Sequence, residues 1–145
     1  MASAFGCAPA PVARSSRPVV AKDAPASPAR TAPVLPSANR LRSHEDFRAT
    51  VSGGVRASRP GVVVHLRASG QPQSRAGLIV SKAVGNAVTR NRVKRQLRHL
   101  LREPLASFAE PTDVVVRALP AAAAGVDADA VRAALEAASR KLGRP

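Results

Sequence analysis

The pattern of apolar and polar positions divides the chain near Pro36. Residues 1–34 show no hydrophobic period. Alanine, proline and serine dominate there, and Pro9, Pro11, Pro18, Pro25, Pro28 and Pro33 interrupt any helix. This stretch reads as a disordered extension or an over-extended translation start, with Val34 as the alternative start, in preference to a targeting leader. The folded domain is expected over residues 35–142, with 143–145 as a tail.

Downstream, periods emerge. Ser43 before His44-Glu45-Asp46 makes a plausible N-cap, with Asp46 as a weak reciprocal cap. Phe47, Thr50 and Val51 follow at helical spacing, and Gly53-Gly54 stops that helix. Residues 55–68 read as extended, with a short β-branched run from Val62 to Leu66 bounded by Pro60-Gly61 and Ser69-Gly70. Gly77-Leu78-Ile79-Val80 is the next strand, with Lys82 at its end. The two runs are near enough in sequence to pair antiparallel. A helix is predicted from about Ala87 to Leu101, limited by Pro104. At about 100° per residue, Val93, Leu97, Leu100 and Leu101 share one face, beside an arc of Arg90, Lys94, Arg95, Arg98 and Arg102. Asp113 to Leu119 is a further strand ended by Pro120. Asp127 or Asp129 opens a last helix, with Val131, Leu135 and Leu142 as its apolar contacts. Helix, two or three strands, helix, strand, helix is the order of one α+β domain whose helices cover a sheet.

Charge changes this picture. The 145 residues carry a formal +14 and a pI near 11.9. Residues 37–145 hold nineteen basic and eight acidic groups, so the excess lies in the domain and not in the leader alone. Such a domain repels itself unless it meets a polyanion, and most of its cations are arginine, suited to bidentate phosphate contact. Between Ser81 and Arg102 there is no carboxylate at all, whereas an ordinary exposed helix mixes signs for support one turn apart. Nucleic acid is the expected partner. No apolar run is long enough to cross a membrane, and a single cysteine, Cys7, builds no disulfide framework. A cytoplasmic protein with no membrane contact and no obligate protein partner is expected.

Catalytic constellations do not assemble from the sequence. His44, His65 and His99 are scattered, no acids adopt metal-ligand spacing, and Gly77 and Gly85 are not part of a GxxxxGK[ST] loop. The chain by itself reads as a binder, with no catalytic residue and no metal site. Asn91 either meets a base edge or ribose hydroxyl, or braces the turn from Asn86. Asn86 is itself a cap or a turn residue. Phe47 is a core residue or, if a groove lies beside the first helix, a platform for an unpaired base.

Asn39-Arg40-Leu41 leading to Asp46-Phe47, then Gly77 to Lys82, Gly85-Asn86-Ala87-Val88 and the block Arg90-Asn91-Arg92-Val93-Lys94-Arg95, together resemble the protein subunit of bacterial ribonuclease P. The likeness spans about residues 35–142, and the composition is similar to that of members from high-GC bacteria. It implies an α+β fold like domain 2 of ribosomal protein S5, in the order α-β-β-β-α-β-α with a left-handed βαβ crossover. It implies a holoenzyme in which a catalytic RNA removes the 5′ leader of precursor tRNA, using magnesium held mainly by RNA. The protein's implied part is to hold the leader and lower the magnesium requirement. By the same resemblance Arg90, Asn91, Arg92, Lys94, Arg95 and Arg98, with Lys82, Asn86 and Arg40, contact RNA. Phe47, Val51 and, at one approximate position, Val64 or His65 line the leader cleft, where relatives often carry more aromatic residues. A ribosomal or RNA-chaperone protein without an enzymatic partner is the alternative.

Overall fold

The β-branched runs become the middle of a four-stranded sheet. The computed structural model describes residues 35–143, so the expectations for residues 1–34 and for the last two residues lie outside it. Its elements are α1 (His44–Gly53), β1 (Val55–Arg59), β2 (Val62–Ala68), β3 (Arg75–Val80), α2 (Ala87–Leu100), α3 (Arg102–Ser107), β4 (Thr112–Ala118) and α4 (Ala128–Lys141). Single 3-10 turns at Ser37–Asn39, Lys82–Val84 and Pro120–Ala123 join them. The expected order holds, with α3 as an addition.

The strands lie in the order β1-β2-β4-β3. β1 and β2 form an antiparallel hairpin around Pro60-Gly61, β2 pairs antiparallel with β4, and β3 pairs parallel with β4. The expected antiparallel pairing between β2 and β3 is therefore wrong. β4 inserts between them, and α2 with α3 forms the long crossover that a parallel pair needs. On the outer edge of β3, the Asn39 amide donates to the Ser74 carbonyl at 2.8 Å and Leu41 N–H to the Ala76 carbonyl at 2.9 Å. The other edge of the sheet is β1, with Arg56 and Arg59 exposed.

Strand alternation separates two faces. Val62, Val64 and Leu66 of β2 and Val114, Val116 and Ala118 of β4 pack in the core with Val93, Leu97, Leu101, Val131 and Leu135. Full burial of Val93 and Leu97 contributes roughly 1.5–3 kcal/mol each relative to exposure, enough to hold a self-repelling helix on the sheet. The opposite face carries Val63, His65 and Arg67 of β2 beside Asp113, Val115 and Arg117 of β4. There α1 packs over β2 and β4.

Two local expectations change. Ser43 occupies the N-cap of α1 without a side-chain hydrogen bond. Asp46 does not cap either; it accepts from Arg75 Nη1 at 3.0 Å. Arg75 also donates through Nε and Nη2 to both carboxylate oxygens of the buried Asp113, each at 3.0 Å. One guanidinium thus ties α1, β3 and β4 together, and its hydrogen bond to Asp113 raises its already high pKa. The α2 helix ends at Leu100, before Pro104, which falls in the first turn of α3 where a missing N–H costs little.

Candidate nucleic-acid interface

The segment entering α2 fixes its direction before any charge is presented. Val84 is buried, and Gly85 follows at φ 148°, a conformation side chains resist. Asn86 then caps the helix: its Oδ1 accepts from Thr89 N–H and from the Thr89 hydroxyl, both at 2.9 Å. Its oxygen is committed to the cap, which leaves only its amide NH2 to face a ligand. Lys82 is exposed on the 3-10 turn just upstream.

Along α2 the cations fall into two stripes. Directly opposite the buried Val93 and Leu97 stand Arg92 and Arg95, exposed, with the exposed Val88 before them and His99 and Arg102 beyond. On the shoulder of the helix lie Arg90, Lys94 and Arg98, all half-buried. Asn91 is exposed between the stripes and its side chain makes no hydrogen bond among the described residues, so it does not brace the turn from Asn86. None of the five cations from Arg90 to Arg98 forms an ion pair within the described residues.

The shoulder stripe faces a groove at the edge of β3. Lys94 and Arg98 line it from α2, Arg40 and Leu41 from the segment on the β3 edge, and Phe47 from α1, around about 150 Å³. Arg40 is partly anchored, its Nε donating to the Leu35 carbonyl at 3.0 Å. Phe47 reaches this place because position 77 is glycine. Its ring lies where a Cβ would stand, so any side chain there would overlap it. Phe47 is half-buried and so belongs wholly to neither of the two roles left open by the sequence.

Beyond Phe47 the same sheet face continues across β4 and β2. Val51 is exposed at the end of α1, and His65 sits on this face with Arg56 and Val115 as its cross-strand partners. Val64 does not: its side chain is fully buried in the core on the other side of the sheet, so it lines no cleft. Sequence reasoning passed over Arg56 and Arg117, whose strand positions put them on the face of His65, and over the Arg75 ion-pair cluster. The first two are placed there by strand register, which no local pattern announces. The third had no local signal, because Arg75 and Asp113 lie far apart in the chain.

Among the described residues no group of three His, Cys, Asp or Glu gathers where a metal would be held, and no helix is long and apolar enough to cross a membrane. The surface fits an extended polyanion better than a small substrate.

Known proteins share this sequence pattern and this fold. A ribonuclease P family profile matches residues 35–143. The ribonuclease P protein component of Streptomyces avermitilis is 51% identical over 120 residues, covering 75% of this chain and 95% of the relative. That of Corynebacterium diphtheriae is 48% identical over 120 residues, covering 77% and 98%. Among solved structures, the Staphylococcus aureus RNase P protein superposes with a TM-score of 0.58 at 26% identity, covering 72% of this chain and 94% of that one. The Thermotoga maritima RNase P protein gives 0.57 at 30%, covering 70% and 96%. With its α+β sheet, its acid-free helix and these relatives, the chain belongs to the ribonuclease P protein family.

Proposed function

We propose that this protein works as the cofactor-like subunit of a ribonucleoprotein whose RNA cleaves the 5′ leader from precursor tRNA in the cytoplasm. The observation that carries the reading is the division of α2 into an outward stripe and a shoulder stripe, both without acidic partners. Arg92 and Arg95, with Asn91, grip the catalytic RNA. Arg90, Lys94 and Arg98, with Arg40, Lys82 and the Asn86 amide, line the path between that RNA and the substrate. The leader crosses Phe47, Val51 and the exposed rim of His65 on the sheet face beside α1. Two polyanions meeting at one junction repel, and a positive wedge between them replaces part of the counterion atmosphere. It also adds contacts that only the precursor has, which favours substrate over product.

We assign the ligands of magnesium to RNA phosphates, and the protein acts by lowering the amount required. A ribosomal or RNA-chaperone role is not favoured by the relatives. Reconstitution tests the proposal. The full chain is mixed with the family's catalytic RNA and a precursor tRNA bearing a 5′ leader, across a magnesium titration. Protein-dependent leader release at low magnesium, with the RNA alone recovering as magnesium rises, is the expected result. Cleavage by RNA alone that ignores magnesium, or no effect of protein at any concentration, overturns it.

A further inference from the structure

His65 is the one histidine of the described residues that is buried, with 8% of its surface exposed. Its Nδ1 is sealed from solvent and has no hydrogen-bond partner. A buried polar atom left unsatisfied is costly, and it leaves the ring to act through its other nitrogen. The groups around it are mostly cationic. Arg56 pairs with it across β1, and Arg117 stands two residues along β4 from its partner Val115. Arg67 lies two residues further along β2 on the same face. The carboxylates nearby are already engaged: Asp113 of β4 and Asp46 of α1 are both held by Arg75 of β3. On α1, Glu45 and Arg48 are exposed. Arg56 and Arg117 are exposed and form no ion pair among the described residues.

We propose that Arg56, His65 and Arg117 form a phosphate seat for single-stranded nucleic acid on the sheet face beside α1, in which His65 takes up a proton when the seat fills. The inference rests on the reading of this face as the leader path. In the free protein, burial and then the charges of Arg56 and Arg117 push the imidazole below its ordinary pKa, so His65 is neutral near pH 7. A backbone phosphate between the two arginines cancels the repulsion that they exert. The proton that arrives from solvent makes the ring a third cation beside the same anion. Since the filled seat favours the protonated ring, binding tightens as pH falls through the window between the free and the filled state.

The test has two arms on the full chain. Nuclear magnetic resonance follows the imidazole titration of His65, assigned by its loss in His65→Gln, with no addition, with inorganic phosphate, and with a short single-stranded RNA. The titration midpoint is expected to rise by about one pH unit with RNA, a tenfold change in proton affinity. A rise with inorganic phosphate as well identifies phosphate itself as the ligand, and a rise with RNA alone identifies the strand. No rise with either overturns the proposal. In the second arm the holoenzyme binds a non-cleavable precursor tRNA and mature tRNA from about pH 7.5 to about pH 5.5. The preference for the precursor should grow roughly three- to tenfold, and it should stay flat in His65→Gln and in Arg117→Gln, an exposed position whose change leaves the fold intact. An equal pH response in the variants sinks the seat. Absence of any precursor preference at every pH sinks instead the leader path on which it rests.

Discussion

Replacing Arg92 and Arg95 together by alanine isolates the outward stripe of α2. Both side chains are exposed, neither forms an ion pair among the described residues, and neither touches the buried Val93 or Leu97 face. The double variant should therefore keep its stability within about 0.5 kcal/mol. Its loss should appear only against RNA. Each phosphate contact contributes a slope of roughly 0.7 to 0.9 in log affinity against log salt, so removing two flattens the slope by about 1.4 to 1.8. At about 0.1 M salt that corresponds to roughly 25- to 60-fold weaker binding of the catalytic RNA, shrinking as salt rises. Over a fourfold increase in salt the wild-type protein should lose about 7- to 12-fold more affinity than the variant. Filter binding or fluorescence titration at four salt concentrations measures this, with thermal unfolding as the control. A folded variant whose slope equals that of the wild type would refute the assignment of these residues to phosphate contact.

Gly77→Ala should push the Phe47 ring off β3, cost about 1–3 kcal/mol in urea unfolding and reduce precursor preference while catalytic RNA binding is retained. Arg75→Met strands the buried Asp113 carboxylate and should cost about 3–5 kcal/mol, with Arg75→Met/Asp113→Leu recovering much of it; equal stability of the two variants would refute the role of the cluster. Because the folded protein holds His65 below its ordinary pKa, the unfolded chain binds that proton first as pH falls below about 6.5. Stability should thus decline on acidification through that window, and His65→Gln should lose less than wild type between about pH 7 and about pH 5 in denaturant titrations.

The elements themselves were legible because each announces its own period. β2 and β4 were read from β-branched runs, α2 from Val93 and Leu97 at helical spacing, and α4 from a cap at Asp129 or, as the structure has it, Asp127. That side chain does accept from Asp129 N–H, at 3.0 Å. What could not be read was decided by partners far along the chain. β2 and β3 are neighbours in sequence, yet β4 displaces one from the other, and nothing local to either run signals an inserted parallel strand. Val64 and His65 were indistinguishable as cleft residues because β2 is covered on both faces, by the core and by α1, so alternation leaves no polar mark. Only the register with Arg56 and Val115 separates them. Pro104 looked like the end of the basic helix, but Leu101 makes the break and lets the proline enter a second helix at its tolerant first turn. The charge asymmetry of α2 needed no tertiary information, since it is a property of consecutive residues.

A four-stranded open sheet exposes two rows of main-chain donors and acceptors to any other extended chain, and here each row has its own guard. Along β3 the backbone around Arg40 and Leu41 already occupies the bonding position at Ala76. Along β1, Arg56 and Arg59 stand in the way, and a second molecule approaching edge-on would bring the same two guanidinium groups towards them. The surplus of positive charge that draws this protein to RNA also keeps its copies apart while no RNA is at hand. Neutralising Arg56 and Arg59 would thus be felt first as self-association, before any loss of fold.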